Sequence, residues 1–243
     1  MAGKRAPAAV DTVLDAIGNT PCVRLRRVVP EGCASVYVKL ESLNPTGSYK
    51  DRLAKAIEKL RAMAAFGAEV ENVHSHTGRI TPDLFATIVK RAKTIAEENE
   101  GYYAADQFNN EDCIAGYGTL GDELVQQLPR GIDAFCGAAR GAGMVMGTAK
   151  GEKGVHGIEG IGPGFVPPLL DSTRYDEIRA YPEEEAREMC RRLAREEGIL
   201  AGTSTGLDVV AALGLAKELG PGKVVVTIAC DTGLKYMSGN LYE

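Results

Sequence analysis

Val224-Val225-Val226-Thr227-Ile228-Ala229 is apolar or β-branched at every position. An alternating pattern would mark a strand with one face in water; an unbroken one marks a strand covered on both faces. Such cover comes from helices above and below, which narrows the fold to an α/β sheet whose parallel strands are joined by crossovers. The rest of the chain supplies the parts. Residues 36–40 read as a second strand, residues 68–70 open another, and residues 132–136 form a short apolar one. Apolar spacing of three and four predicts a helix over residues 51–65, with Leu53, Ala54, Ile57 and Leu60 on one face. A helix over 82–98 follows Thr81 as N-cap, with Pro82 at its first position. Further helices are predicted over 112–127, from about 142, over 183–197 and over 207–219. Strands alternating with helices imply βαβ units and a mostly parallel sheet.

At 243 residues and 44% hydrophobic, the chain can build one large domain or two smaller lobes. A net charge of −5 with no Lys/Arg-rich block excludes nucleic acid as the main partner. No apolar run is long enough to span a membrane, and the basic residues Lys4 and Arg5 precede no apolar stretch of the secretory kind. None of the six cysteines forms a C-x-x-C pair, so the usual zinc and redox spacings are absent. They read as reduced thiols of a cytoplasmic protein. His74 and His76 would share a strand face, but nothing nearby offers a third ligand, so no metal is expected.

Chemistry concentrates in Asn44-Pro45-Thr46-Gly47-Ser48-Tyr49-Lys50-Asp51-Arg52. A turn follows a strand and a helix follows the turn, which puts Lys50 at a helix start beyond a strand's carboxyl end. Open α/β sheets bind ligands at that end, and lysine forms Schiff bases with aldehydes. A solvated lysine at a helix end is the plain alternative. A second segment, Gly202-Thr203-Ser204-Thr205-Gly206, matches the Gly-x-Ser-x-Gly elbow of hydrolases literally. That elbow needs a full apolar strand before it and a later histidine. Only Ile199-Leu200-Ala201 precedes it after a charged run, and the last histidine is His156.

The Lys50 segment resembles the lysine motif of the cysteine synthase and cystathionine β-synthase family of pyridoxal-phosphate (PLP) enzymes. Other matches follow in the same order: Ile17-Gly18-Asn19-Thr20-Pro21, Phe66-Gly67-Ala68-Glu69, Asp106-Gln107-Phe108-Asn109-Asn110, Gly160-Ile161-Gly162-Pro163-Gly164-Phe165 and Ala201-Gly202-Thr203-Ser204-Thr205-Gly206. The resemblance implies a two-lobed α/β fold of the tryptophan-synthase-β-like type, with open, mostly parallel sheets. A larger, PLP-binding lobe would span residues 1–39 and about 116–243, and a smaller mobile one about 40–115. It implies PLP on Lys50 as catalytic residue, and Thr46, Gln107 and Gly160 at the substrate. The phosphate would lie against Gly137, Ala138, Ala139, Arg140, Gly141, Ala142 and Gly143, and Ser204 would face the pyridine nitrogen. The phosphate loop alone is a weak signal, since a plain βα turn explains it equally well; Arg140 would either pair with the phosphate or crowd it.

The implied activity is β-replacement, foremost cysteine synthesis from O-acetylserine and sulfide, in a homodimer. A cystathionine β-synthase-like sister activity and an inactive PLP-fold binding or regulatory protein are the alternatives. Two family blocks have no counterpart here. Phe66 stands only sixteen positions after Lys50, with no asparagine loop of the kind that holds the substrate carboxylate. A segment of about 30–50 residues, the size of a βαβ element, is lacking near Ile57–Glu58, and a shorter one near Lys150–Gly151. The smaller lobe is therefore expected to be incomplete.

Overall fold

The computed structural model describes residues 9–56, 82–106, 109–110, 112–138, 176–177 and 179–243. Within them lies a four-stranded sheet, ordered β1 (Cys22–Arg24), β2 (Ser35–Lys39), β4 (Val224–Ile228) and β3 (Ala134–Phe135). The strand with the unbroken apolar run, β4, is central and runs parallel to β2 and β3; β1 is an antiparallel edge on β2. Its residues alternate between two cores. Val225 and Ala229 join Val36 and Val38 against helices α4 (Glu183–Arg192) and α5 (Thr203–Leu219). Val226 and Ile228 face the other way, against Leu120 and Leu124 of α3 (Asp112–Gln127). Both faces are covered, as the sequence required.

The helix predicted over 82–98 is α2 (Pro82–Glu98), and that over 112–127 is α3. The helix predicted over 183–197 is α4 followed by a wider π turn, Leu193–Glu197, which Gly198 ends at φ 70°. Three acidic residues open α4, and Arg191 and Arg192 close it, each matching the helix dipole.

Three expectations need correction. The strand expected over 132–136 is regular only at Ala134–Phe135, although Asp133 N–H and Cys136 N–H still donate to Val224 and Val226 of β4. The edge strand β1 was not read from the sequence, because three residues are too few for a period to register. Helix α5 starts at Thr203, four residues earlier than the apolar spacing suggests. Its first turn is polar yet buried, so no hydrophobic stripe announces it. The strand at 68–70, the helix from 142 and the helix over 51–65 beyond Ala56 lie outside the described residues.

Gly206 sits where α5 crosses α4. A Cβ there would overlap the Ala186 carbonyl oxygen and lie 2.7 Å from Cys190 Sγ. Gly206→Ala should lower stability by about 1–3 kcal/mol, the usual effect of overpacking a close contact. Urea denaturation checks it, and an unchanged midpoint would show that the two helices part freely.

Candidate active site

The carboxyl ends of β2, β3 and β4 open onto one edge, where open α/β sheets place their ligands. Beyond β2, Asn44 to Tyr49 lead into α1 (Lys50–Ala56), so Lys50 is the first residue of a helix. Gly47 takes φ 73° in this turn, a left-handed conformation that glycine adopts without a Cβ clash. The turn is stitched to the segment after β4. Tyr49 N–H donates to the Cys230 carbonyl and Thr232 N–H to the Gly47 carbonyl, each at 2.9 Å. The same segment holds the start of α5: Gly202 N–H donates to the Asp231 carbonyl at 3.1 Å, and Cys230 N–H to Thr205 Oγ1 at 2.9 Å. Three consecutive residues, Cys230 to Thr232, thus join the Lys50 turn to the Ser204 turn.

Ser204 is wholly buried, and its hydroxyl has no hydrogen-bond partner among the described residues. Neither has the hydroxyl of Thr203. Such groups are costly to bury unpaired and mark a place where a polar partner belongs. A serine hydroxyl suits a ring nitrogen. Ser204 also lies inside a helical turn, whereas a hydrolase elbow exposes its serine after a strand; Ala201 makes only an isolated bridge to Thr232. After β3, no described residue lies within 4 Å of where a Gly137 side chain would start, and Ala138 is buried. The Ser204 hydroxyl, unpaired among the described residues, fits the ring of PLP.

A buried ionic cluster lies behind Lys50. Arg52 donates from Nε and Nη2 to Glu41 at 2.7 and 2.9 Å, from Nη1 and Nη2 to Glu123 at 2.8 Å, and from Nη1 to Thr119 at 2.9 Å. Every N–H of the guanidinium is used. Lys39 donates to Glu123 and the Thr20 carbonyl at 2.6 Å and to Gln127 at 3.0 Å, which uses every N–H of its ammonium. Glu41 also accepts from Thr20 and Asn44, and Glu123 from Asn19 N–H. Two cations meet two anions, and three of the four are essentially buried, with Glu123 at 14% exposed. Burial would raise the Glu123 pKa, but the hydrogen bonds from Arg52, Lys39 and Asn19 outweigh it and hold it down at about 2. For Arg52, burial works against the charge, and the bonds and charges of Glu41 and Glu123 overcome it, raising the pKa. Neither this cluster nor Asp231 was singled out in the sequence. The available signals were Lys39 inside an apolar strand and an Asp-Thr-Gly turn straight after β4.

Of the residues expected at the site, Lys50, Thr46, Gly137, Ala138 and Ser204 are described. Ala139, Arg140, Gly141, Ala142, Gly143, Gln107 and Gly160 lie outside the described residues, as do His74 and His76. Thr46 is exposed, and its N–H and hydroxyl both donate to Asp51, so its first task is to hold the turn. All six cysteines are free. Burial, with the Asp208 charge, pushes Cys136 up to about 12, and burial does the same for Cys190, which keeps both as unreactive thiols. No group of described residues could hold a metal, and no described helix is long and apolar enough to cross a membrane.

Residues 13–58, 54–162 and 152–231 match the model of the family described as pyridoxal-phosphate dependent enzymes, and the chain belongs to that family. It is 33% identical to cysteine synthase of Staphylococcus aureus (strain Mu50) over 311 aligned positions, covering 96% of this chain and 97% of the relative. It resembles the structure of O-acetylserine dependent cystathionine beta-synthase from Helicobacter pylori, with TM-score 0.82 and 28% identity over 98% of this chain and 100% of that one. It also resembles cysteine synthase from Entamoeba histolytica, with TM-score 0.82 and 25% identity over 100% of this chain and 94% of that one. The 311 aligned positions exceed the 243 residues of the chain by 68, so the Staphylococcus protein carries segments with no counterpart here. The family match breaks between residues 54 and 58 and between 152 and 162, around the two junctions picked out from the sequence.

The Glu123 carboxylate gives an acid-range prediction. Its folded pKa of about 2 lies below the ordinary 4.5, so its contribution is complete above 4.5 and is lost as pH falls toward 2. Glu123→Gln should weaken the fold at pH 7, since it leaves Lys39 and Arg52 with one anion between them, and should flatten the dependence between pH 4.5 and 2. Urea midpoints against pH test this; two parallel curves would contradict it.

Proposed function

We propose that the protein is a PLP-dependent β-replacement enzyme that makes cysteine from O-acetylserine and sulfide. The observation that carries the reading is the pairing of a lysine turn with a buried serine hydroxyl, unpartnered among the described residues, across one three-residue splice. The names of the Staphylococcus and Entamoeba relatives support the choice of reaction.

Pyridoxal phosphate, when bound, supplies the electron sink for a carbanion at the substrate Cα. Lys50 would hold the cofactor while the site waits. When not holding the cofactor, the Lys50 amine would be placed to take the proton from the substrate Cα. Acetate would leave Cβ with its bonding electrons, sulfide would add to Cβ, and Lys50 would return the proton to Cα, so atoms and charge balance. Ser204 would donate to the ring nitrogen. A hydroxyl cannot hold that nitrogen protonated as a carboxylate would, which suits elimination and replacement better than a long-lived carbanion. Backbone N–H groups from Gly137 to Gly143 would meet the phosphate, with Arg140 beside it. Gln107, with Thr46 and Gly160, would meet the substrate, and the homodimer belongs to the same reading.

A sister reaction with a thiol nucleophile in place of sulfide is favoured by the Helicobacter pylori likeness. The absence of the asparagine loop favours instead a PLP-binding protein without turnover. One series separates them. Wild-type protein with PLP, O-acetylserine and sulfide should form cysteine, and Ser204→Ala should keep the cofactor but lose about three- to tenfold in kcat, the worth of one hydrogen bond. Turnover with homocysteine but not sulfide would favour the sister reaction. PLP binding with no turnover of either nucleophile would leave the binding protein. Acylation of Ser204 by an ester would refute the assignment of that residue.

A further inference from the structure

The Lys39–Glu41–Arg52–Glu123 cluster does more than hold the fold: we propose that it positions Lys50, with Arg52 as the positioning residue. The inference rests on the reading of Lys50 as the PLP lysine. Arg52 is two residues beyond Lys50, in the first turn of α1. The direction of its first turn is set by what grips it. The Lys50 side chain is exposed, whereas Arg52 is 3% exposed and spends all its donors on three residues outside α1. Those residues belong to two separate supports. Glu41 follows β2 and takes Asn44 Nδ2 at 2.9 Å, so the same carboxylate also fixes the start of the Lys50 turn. Thr119 and Glu123 sit one helical turn apart on α3, and Glu123 is tied to β2 through Lys39.

The cluster therefore holds the segment carrying Lys50 from both sides, by Asn44 before it and Arg52 after it. Directional, bidentate bonds fix orientation as well as distance, which a hydrophobic contact does not. Lysine in place of Arg52 offers three donors from one point and cannot span both carboxylates. Stability alone would not call for this arrangement, since well-packed apolar residues stabilise as well as a buried ion pair. A reactive amine, by contrast, gains from being held within a fraction of an ångström.

The test measures how fast each protein captures PLP, followed by imine absorbance, with borohydride reduction and peptide mapping to locate the pyridoxyl group. Melting temperature is recorded in parallel. The variants are Arg52→Lys, the milder Thr119→Val, and Leu193→Ala as a core control on the opposite face of the sheet. Arg52→Lys should slow capture at Lys50 by about 10- to 100-fold, and Thr119→Val by a smaller factor. Leu193→Ala should lower the melting temperature yet capture PLP at the wild-type rate. If Arg52→Lys does not fold, Thr119→Val carries the test. Capture rates that simply follow melting temperature across all three variants would overturn the positioning role. Wild-type labelling at a lysine other than Lys50 would overturn the reading of Lys50 itself, a distinct result.

Discussion

Four charges behind the Lys50 turn join parts of the chain that are distant in sequence. Removing a carboxylate or a guanidinium from water costs several kcal/mol, and the cost is recovered only if every bond is replaced. Here every N–H of Lys39 and Arg52 finds an acceptor, and Glu41 and Glu123 each take bonds on both oxygens. Loss of one member would strand the others, which typically costs about 3–5 kcal/mol. The cluster links the end of β2, the start of α1, the middle of α3 and the Asn19–Thr20 segment. It also crosses the lobe boundary drawn from the family resemblance, since Lys39 and Glu123 lie on one side and Glu41 and Arg52 on the other.

A second constraint operates on the other side of Lys50. Cys230, Asp231 and Thr232 extend β4 and use their backbone groups on two neighbours at once. The central strand, being apolar on both faces, cannot shift without disturbing two cores, so what hangs from its end is held equally firmly. A sheet with helices on both faces thus delivers two loops to one edge with little freedom. Function on such a scaffold depends on a few residues at that edge, and the edge is where this chain departs from a plain α/β pattern.

Much of this was legible in the sequence. The apolar run of β4 gave a strand covered on both faces, the periods of α2 and α3 gave their limits within a residue, and the third period took in α4 together with the π turn after it. The Lys50 and Ser204 turns were picked out through the family resemblance. What escaped had specific physical causes. The first turn of α5 is buried through hydroxyls and a glycine, so hydrophobic spacing could not reveal it. Lys39 looks like the solvent-facing residue of a strand, and only the arrival of Glu123 from 84 positions away explains its burial. Ion pairs of that kind are tertiary facts, invisible to any local period. Asp231 reads as an ordinary turn residue until its carbonyl is seen to hold Gly202.

The central proposal is a single cofactor seat shared by Lys50 and Ser204. The measurement that tests it most directly is a crystal structure of the protein after PLP addition and borohydride reduction. The account predicts a pyridoxyl group joined to Lys50 Nζ, with the ring nitrogen about 2.6–3.2 Å from Ser204 Oγ, a hydrogen-bonding distance. A pyridoxyl group on another lysine, or a ring nitrogen turned away from Ser204, would contradict it.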